Sequence, residues 1–417
     1  MPERAVRPLG ELIENLDARR LPVKEADRRA GPHPYYGASG IVDYVDDYLF
    51  DGLHLLIAED GENLRTQNTP VAFLADGRFW VNNHAHVVRA NAGADTRFLC
   101  YALRVADIGS YLTGSTMPKL TQANMHRIPV FAPALHVQRK IAAVLGSLDD
   151  KIELNRRMNE TLETMAEAIF RDWFVDFGPV RRKMEGATDP VAVMGGLTPD
   201  PARAADLAAL FPDTLGNEGL PEGWATSSFG SEFRLIMGQS PPGDTYNDDR
   251  VGLPFFQGRT DFGFRYPEQR KHCSAPARIA EADDTLISVR APVGDLNVAW
   301  ERCCIGRGVA ATRHKSGGTS FTFYALRSLQ PELEQFEHTG TVFGAINKKQ
   351  FEALKVLRPA SSTVGAFERL VAPLDDMIRT KTAENRTLAE TRDYLLPRLM
   401  SGAVRVASAE AAVTEAA

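Results

Sequence analysis

The sequence predicts an α+β protein in which two globular mixed α/β domains are joined by two long helices that form an antiparallel coiled coil. Two observations lead to this prediction. Between residues 135 and 173, apolar side chains recur in alternating steps of three and four, which is the spacing of a coiled-coil seam. The same pattern returns 226 residues later without a gap. We therefore expect an internal pseudo-twofold repeat to organise the whole chain.

Polar residues interrupt the apolar seam near the middle of both copies. The first copy has Asn155 and Asn159 there, and the second has Lys381 and Asn385. Polar seam residues cost stability but fix register. We predict that these four residues set the register, with the equivalent residues Asn159 and Asn385 acting as a pair. The apolar positions around them are Ile141, Leu145, Leu148, Ile152, Leu162, Ala166, Ile169 and Trp173 in the first copy and Phe367, Leu374, Ile378, Leu388, Leu395 and Leu399 in the second.

The ends of the long helices follow from proline positions. The first helix is expected to begin after Pro133, whose fixed φ suits a helix entrance. It runs for about 38 residues, which at about 1.5 Å per residue gives about 57 Å. Pro397 is expected to end the second helix near Leu396, because proline interrupts the helical hydrogen bonds. Each helix has an apolar seam that needs a partner, so we expect the two helices to pack against each other.

The globular domains consist of short strands broken by glycine, asparagine and aspartate. PYYGASGIVDYV, HLLIAED, PVAFLA and FWVNNHAHVVRA in the first domain have looser counterparts in PFFQGRTDFGF, TLISVRAPVGDL and CCIGRGVAATR. A stretch rich in proline, glycine and aspartate is predicted to be an extended linker with one short helix near residues 202–210. The predicted segments are a first domain (1–133), a long helix (134–174), the linker (175–223), a second domain (224–359), a second long helix (360–402) and a flexible tail (403–417).

Composition limits the classes of function. The 417 residues carry a formal net charge of −6, which argues against a free-standing nucleic-acid binder, so any DNA contact must be local or shared with a basic partner. The 44% hydrophobic content is ordinary, and no apolar run approaches the roughly 18 residues of a membrane span. We expect a cytoplasmic protein without membrane contact. Four cysteines without a CxxC pair are expected to be buried, small apolar residues in a reducing compartment.

Motifs for cofactor chemistry are missing. The chain has no GxxxxGK[ST] phosphate loop, no Asn-Pro-Pro-Tyr or Asp-Pro-Pro-Tyr, and no GxG that follows a strand and opens a helix. A nucleotide or methyl-donor pocket is therefore unsupported, and we predict no cofactor in this chain.

Two polar clusters invite functional hypotheses. Asn82-Asn83-His84-Ala85-His86 would place both histidines on one face of a strand, which suits a metal site, readout of bases or phosphates, or structural histidines. Asp149-Asp150-Lys151 resembles part of a nuclease carboxylate cluster, but it lies in the predicted coiled coil and recurs at Asp375-Asp376. A solvated helix face or a partner contact is the competing interpretation.

Loop residues supply candidate DNA contacts. Arg259, Arg290 and Arg307 each stand near glycine or proline, and arginine can bind guanine O6 and N7 through two hydrogen bonds. A surface arginine or an ion pair is the alternative. In the loops before the two long helices, phosphate contacts or loop capping are expected from Thr116, Lys119, Thr341 and Lys348.

Two different domains on one rigid, duplicated spacer suit the recognition of two separate DNA sequences at a fixed distance. DNA rises about 3.4 Å per base pair, so a spacer of about 57 Å corresponds to about 17 base pairs. The gap between half-sites would be shorter if the domains lie inboard of the helix ends. Different half-sites would also explain why the domains diverged while the helices kept their pattern.

In the order of these segments the chain resembles the specificity subunit of a type I restriction-modification system. The resemblance covers nearly the whole chain and includes the strings GSTMPKLTQANM, LDDKIELNRRMNETLETMAEAIFRDWFVDF, PFFQGRTDFG, IGRGVAA and LLPRLMSG. It implies two target-recognition domains, no catalysis by this chain, and binding of a bipartite, asymmetric double-stranded DNA sequence. It also implies recruitment of two modification subunits, which carry S-adenosylmethionine and methylate adenine N6, and of ATP-dependent restriction subunits.

Candidate base-contacting residues within that family pattern are chosen by their place in loops or at strand ends. They are Tyr35, Tyr36, Asn82, Asn83, His84 and His86 in the first domain and Gln257, Arg259, Arg290 and Arg307 in the second. The competing hypotheses are a specificity chain of another defence or methylation system, a metal-dependent nuclease and a structural coiled-coil scaffold.

Overall fold

The computed structural model describes residues 6–336 and 344–416. The chain divides into two compact units, each with its own hydrophobic core. The first unit comprises Met1–Arg157 and Lys381–Ala417, and the second comprises Met158–Thr380. Each unit contains one globular domain and part of both long helices, so the unit boundaries fall within the helices.

Between residues 6 and 157, the first unit contains nine strands. They are β1 (Val6–Pro8), β2 (Ile13–Asn15), β3 (Ala30–Gly37), β4 (Gly40–Val45), β5 (His54–Ala58), β6 (Ala72–Ala75), β7 (Trp80–Val81), β8 (Ala85–Ala90) and β9 (Pro129–Phe131). The α-helices that begin in the described part of this unit are α1 (Asn63–Thr66), α2 (Thr96–Arg104), α3 (Gln122–Arg127), the long helix α4 (Leu135–Phe174) and the C-terminal α13 (Val406–Ala416).

Three sheets build the first domain. Strands β2, β8, β5 and β6 form a four-stranded antiparallel sheet, and β1 pairs with β9. In the third sheet β3 is central, antiparallel to β4 and parallel to β7. Helix α2 has Asp95 as its N-cap and buries Phe98 and Leu99 in the core that also holds Leu55 of β5.

Over residues 158–336 and 344–380, the second unit contains eleven strands and the remaining helices of its domain. The strands are β10 (Ala225–Ser228), β11 (Phe233–Met237), β12 (Tyr246–Asn247), β13 (Leu253–Phe256), β14 (Lys271–Cys273), β15 (Ile279–Ala280), β16 (Thr285–Ser288), β17 (Leu296–Val298), β18 (Cys303–Ile305), β19 (Val309–His314) and β20 (Lys355–Arg358). The helices are α5 (Gly178–Met184), α6 (Pro190–Val193), α7 (Pro201–Ala208), α8 (Phe229–Glu232), α9 (Thr319–Ser328), α10 (Gln330–Glu334), α11 (Lys348–Glu352) and the long helix α12 (Ser361–Ser401).

The sheets of the second domain repeat the topology of the first. A two-stranded pair (β10, β20) and a four-stranded antiparallel sheet (β11, β19, β16, β17) match their counterparts. The remaining five-stranded sheet again contains one parallel pair, in which Phe255 faces Cys304 as Tyr35 faces Trp80 in the first domain. The predicted α+β class and the internal repeat are confirmed.

The long helices pack antiparallel in both units. In the first unit, Asp149 pairs with Arg392 at 2.8 Å, and Asn155 donates a hydrogen bond to Asn385 at 2.9 Å. Residue numbers therefore increase along α4 where they decrease along α12. In the second, the ring of Phe367 lies 5.5 Å from that of Phe170. Most seam residues are buried, as predicted from their spacing.

Polar residues join the two helices at the seam. Asn155 donates to the side-chain oxygen of Asn385, and Asn385 also donates to the carbonyl of Ile152 at 3.2 Å. Asn159 is buried, and Lys381 pairs with Glu384 on its own helix at 2.8 Å.

The end near Leu396 that Pro397 suggested for the second long helix is wrong, whereas the predicted segment 360–402 agrees with the helix. Helix α12 continues through Pro397 to Ser401. Proline there removes only one amide donor close to the C-terminus, and its fixed φ is compatible with a helix. Leu399 and Met400, beyond the proline, are buried, so apolar packing extends the helix by one turn.

The linker and the tail are more ordered than predicted. Helices α5, α6 and α7 occupy much of the expected extended linker, and Asp189-Pro190 and Asp200-Pro201 begin two of them as N-cap followed by proline. The expected flexible tail forms α13 (Val406–Ala416), in which Ala409 is fully buried. The Asp-Pro pairs in the linker and the helical spacing of apolar residues in the tail indicate helices, although the Pro- and Gly-rich or small-residue composition of these stretches suggested irregular structure.

The cysteines are interior residues of the two units. All four cysteines are buried free thiols, as predicted, and burial raises the pKa of Cys100 to about 11. Over residues 6–336 and 344–416, none of the helices combines the length and apolar character needed to cross a membrane.

Candidate nucleic-acid interface

An open cleft of about 220 Å³ in the second unit brings together the predicted residues of that domain. Its lining comes from three separate stretches of the chain and includes Gln257, Arg259, Arg290 and Arg307. Sequence reasoning selected these residues individually, and the fold places all four around one concave surface.

Backbone hydrogen bonds fix the position of Arg290. The residue forms an isolated antiparallel bridge with Ala345, flanked on either side by hydrogen bonds of 2.9 and 3.1 Å. The amide of Val289 donates to the carbonyl of Gly308 at 3.0 Å, which ties this stretch to the loop that carries Arg307. The two arginines therefore lie on neighbouring, hydrogen-bonded backbone segments.

Glycines hold the Arg307 loop tightly against its neighbours. A Cβ atom on Gly308 would lie 2.4 Å from the carbonyl oxygen of Gln257, and one on Gly238 would lie 2.1 Å from that of Gly306. The predicted role of these small residues was to let the backbone approach a ligand. The structure shows a close approach between protein backbones instead, and this packing fixes the base of the Arg307 side chain.

The three cleft arginines differ in their partners. Arg259 pairs with Asp295 at 3.0 Å. Arg290 and Arg307 are exposed, and within the described residues neither guanidinium has a hydrogen-bond or ion-pair partner. The cleft thus offers two arginine forks, which suit a ligand with paired acceptor atoms, such as a guanine edge or a phosphate.

The first unit has the same backbone arrangement with different side chains. Asp60 forms an isolated bridge with Lys119, flanked by hydrogen bonds of 2.8 and 3.2 Å, and the amide of Glu59 donates to the carbonyl of His84 at 2.9 Å. Every one of these bonds has a counterpart around Arg290. Asp60 therefore occupies the position of Arg290.

A second equivalence places Asn83 at the position of Arg307. The amide of Asn82 donates to the carbonyl of Tyr36, the second-last residue of β3, at 3.0 Å. The amide of Gly306 donates to the last residue of β13 at 2.8 Å. The residues that follow, Asn83 and Arg307, are both exposed. An amide in the first unit thus stands where the second unit has a guanidinium.

Charges in the first unit are largely paired with one another. Nδ1 of His84 lies 2.9 Å from the carboxylate of Asp60, and Lys119 pairs with Glu59 at 3.2 Å. Asn83 and Thr116 are exposed, and neither side chain has a hydrogen-bond partner in the described part of the chain. This surface is polar, with far less unpaired positive charge than the cleft of the second unit.

Two predicted contact residues of the first domain are interior residues, which corrects the prediction for them. Tyr35 is 1% exposed, and its hydroxyl lies 3.1 Å from the amide of Val23. His86 is 1% exposed, with Nδ1 at 2.6 Å from Asp17 and Nε2 at 2.8 Å from the carbonyl of Leu120. Burial of these rings prevents contact with a base.

The carboxylate of Asp17 illustrates why His86 is structural. Burial opposes ionisation of Asp17, but the hydrogen bond and charge of His86 outweigh it and hold the pKa of Asp17 below its usual value. A nearby ion pair between Arg20 and Glu59, at 2.7 Å, belongs to the same cluster. These groups connect β8 to the loop after β2.

The metal hypothesis loses its geometric basis. His84 lies in the turn before β8 and is exposed, whereas His86 is buried within the strand, so the two do not share one face as predicted. Across residues 6–336 and 344–416, no three or more His, Cys, Asp and Glu side chains are grouped so that they could hold a metal ion.

The Asp149-Asp150-Lys151 cluster is dispersed rather than convergent. Asp149 accepts a hydrogen bond from the hydroxyl of Tyr101 at 2.7 Å and pairs with Arg392. Lys151 pairs with Glu384 at 3.2 Å, and Asp150 points to solvent. These contacts support the structural interpretation over the nuclease one.

The equivalent aspartate of the second unit has the same structural function. Asp375 accepts hydrogen bonds from Ser320 at 2.6 Å and Tyr324 at 3.2 Å and pairs with Arg265 at 2.6 Å. Arg265 also pairs with Glu163 of α4 at 3.3 Å. One buried arginine therefore links both long helices to the second domain.

The remaining predicted residues lie outside the two equivalent surfaces or outside the described chain. Tyr36 is half-buried, with its ring 5.6 Å from that of Phe79. Lys348 begins α11 and pairs with Glu352 at 3.5 Å. Thr341 lies outside the described residues.

Sequence reasoning missed Asp60 and Arg265. The strand patterns of the sequence align Glu59 with Arg290. An alignment shifted by one residue places Asp60 at Arg290, as the structure does. Arg265 stands in a loop without a motif, and only the three-dimensional packing reveals its partners.

Comparison with known proteins gives consistent results. Residues 2–164 match the family described as the type I restriction modification DNA specificity domain. The specificity subunit of type I restriction enzyme MjaX from Methanocaldococcus jannaschii is 29% identical over 291 residues, covering 69% of this chain and 62% of that protein. The HindI specificity subunit from Haemophilus influenzae is 26% identical over 337 residues, covering 69% and 72%.

The fold has a match among solved structures. The crystal structure of the S subunit of a type I restriction-modification system from M. genitalium superposes with a TM-score of 0.60 at 15% identity, covering 95% of both chains. The alignment with the first relative above spans less than two thirds of that relative's length. The match of residues 2–164 to this DNA specificity domain, the two similar specificity subunits and the shared fold agree with the internal repeat and the paired long helices.

Proposed function

We propose that this chain is a non-catalytic DNA-recognition subunit that binds a bipartite, asymmetric double-stranded target, with one half-site contacted by each domain. One observation carries the proposal. The two domains share a backbone arrangement around Asp60 and Arg290 but present different side chains there. A duplicated scaffold with unequal contact residues suits two different half-sites.

Partners supply the chemistry in this proposal. Two modification subunits bind S-adenosylmethionine and methylate adenine N6, and restriction subunits that use ATP and Mg²⁺ join the complex. The net charge of −6 supports shared DNA binding, because partners must contribute part of the basic surface. The complex acts on DNA in the cytoplasm.

The first experiment is methylation mapping. The chain is produced with its modification subunits, and methylated adenines are located by single-molecule sequencing of host DNA. We expect a motif of two unequal halves separated by unspecified bases. A contiguous palindrome, or no methylated adenine, contradicts the proposal.

We further propose that the long helices determine the gap between the half-sites. Helices α4 and α12 have 40 and 41 residues, so each extends about 60 Å at about 1.5 Å per residue. Insertion of one helical turn of four residues in both helices, between Asn155 and Leu162 and at the equivalent place in α12, should change the preferred gap. An unchanged gap with intact affinity contradicts this part of the proposal.

A further inference from the structure

We propose that the cleft of the second unit recognises a guanine in one half-site through Arg290 and Arg307. This inference rests on the proposed function, because it assigns base specificity to one of the two DNA-contacting surfaces. The two guanidinium groups only donate hydrogen bonds, and guanine offers two adjacent acceptors, O6 and N7, in the major groove.

The alternative ligand for an arginine is a backbone phosphate, and three features favour the base. The charged residues that line the cleft are all arginines, with no lysine among them. Arginine forks match the planar acceptor pair of guanine, whereas lysine acts as a point charge. The ion pair between Arg259 and Asp295 at 3.0 Å offsets the charge of one of the three arginines, which reduces the attraction of the cleft for a phosphate.

Rigidity is the second feature. Base discrimination requires donors at fixed positions, because a donor that can move also accommodates the wrong base. Arg307 lies between glycines that pack against the backbone of Gln257, and Arg290 lies in a hydrogen-bonded bridge. Both guanidinium groups therefore extend from backbone that the fold has already fixed.

Availability is the third feature. Among the described residues, Arg290 and Arg307 have no acceptor for their guanidinium groups, while Arg259 has Asp295. A ligand acceptor can thus bind Arg290 and Arg307 without breaking a protein ion pair. Arg259 serves to hold the rim of the cleft, and we assign it no base contact.

Comparison of the units confines the guanine contact to one half-site. The first unit has Asp60 and Asn83 at the positions of Arg290 and Arg307. A carboxylate accepts hydrogen bonds, and it cannot donate to guanine O6 or N7. The half-site contacted by the first unit should therefore not depend on this arginine–guanine pairing.

The test uses the complete complex with its modification subunits. Arg307→Ala and Arg290→Ala should each relax one position of the methylated motif, a guanine in one half-site, while the other half-site keeps its sequence. Binding to the cognate duplex should weaken roughly 5- to 150-fold for a lost bidentate contact. Arg307→Lys, which keeps the charge and can still donate to O6 and N7 but lacks the planar fork, should relax that position less than Arg307→Ala.

Two matched controls bracket the experiment. Arg302→Ala removes an exposed arginine of the same unit that pairs with Glu281 at 3.5 Å outside the cleft, and it should leave motif and affinity unchanged. Asn83→Ala should affect only the other half-site. A variant-free arm replaces the assigned guanine with 7-deazaguanine, which lacks N7. The wild-type complex should bind the 7-deazaguanine duplex more weakly than the unmodified duplex. The Arg307→Ala and Arg290→Ala complexes should show a smaller difference between the two duplexes.

The outcomes separate the inference from the proposed function. Both arginine variants could instead keep the wild-type bipartite motif and bind every duplex more weakly, with the slope of affinity against salt reduced by about one. That result means that the arginines contact phosphates. It overturns this inference and leaves the proposed function standing. Insensitivity of the wild type to 7-deazaguanine at every guanine also overturns it. If the wild-type complex yields no bipartite motif, the proposed function itself fails.

Discussion

Asn155 donates a hydrogen bond of 2.9 Å to Asn385, a residue 230 positions later in the chain, at a place where both helices otherwise present apolar side chains. This pair lies inside one compact unit and joins the two long helices there. Buried polar pairs of this kind favour one alignment of two helices, because any shifted alignment leaves an amide without a partner.

Asn155→Leu should destabilise the first unit by about 0.5–1.5 kcal/mol, because it removes the hydrogen bond that Asn155 donates to the half-buried side chain of Asn385. The double variant Asn155→Leu/Asn385→Leu should recover stability but lose the fixed alignment, so the methylated motif should accept more than one gap length. Urea unfolding and methylation mapping measure the two effects. Asp150→Ala, on the exposed face of the same helix, is the control. A double variant with one unchanged gap would argue against a register function.

Arg265→Met should lower the free energy of unfolding by about 3–5 kcal/mol, because removal of one member of a buried ion network leaves charges uncompensated. The guanidinium is almost fully buried, pairs with Glu163 and Asp375, and lies 3.5 Å from the ring centroid of Phe323. Arg302→Ala, an exposed arginine of the same unit, should change stability by less than about 0.5 kcal/mol. Equal effects of the two variants in urea unfolding would contradict the structural function of Arg265.

Gly308→Ala should displace the Arg307 loop, because its Cβ would lie 2.4 Å from the carbonyl oxygen of Gln257. We expect a loss of about 1–3 kcal/mol in stability, as for overpacking elsewhere, together with weaker recognition of one half-site. Gly243→Ala is the matched control, since this glycine lies outside the cleft, nothing lies within 4 Å of its Cβ position, and its φ is outside the left-handed region. Thermal unfolding and duplex binding of both variants decide the matter. A harmless Gly308→Ala would show that the loop yields easily.

His314 should make stability depend on pH in the mildly acidic range. Burial beside Phe233 and Phe321 lowers the pKa of His314 below its usual value of 6.5. The unfolded chain therefore binds the proton more readily, so this contribution is complete above about pH 6.5 and is lost as the pH falls through the folded-state pKa. His314→Gln should flatten that part of the unfolding free energy measured from pH 7.5 to 5. A slope identical to that of the wild type would exclude His314 as its source.

The sequence predicted the helical scaffold well because the seam is periodic and repeated. Leu145 and Leu148 are buried where the spacing placed them. Alternation on short strands was a weaker guide. Tyr35 stands at a strand end in the predicted pattern, yet its ring lies inside the domain because Val23 and Arg28 cover it.

The candidate site was predictable in its parts but not in its assembly. Arginines beside glycine and proline could be selected from the sequence, whereas their convergence depends on strand pairing between segments that lie far apart in the chain. The tail shows a similar limit. Its small residues suggested fraying, but Val406, Ala409 and Val413 recur at helical spacing and pack against the core of the first unit.

The matching hydrogen bonds around Asp60 and Arg290 have a consequence for how new specificities arise. These bonds involve only backbone atoms, so the side chains at Asp60, Asn83, Arg290 and Arg307 can be exchanged without dismantling the framework that positions them. On the proposed function, point changes at these exposed positions alter the preferred DNA sequence and leave the fold intact. The backbone hydrogen bonds maintain the fold, and the exposed side chains on this framework are free to vary.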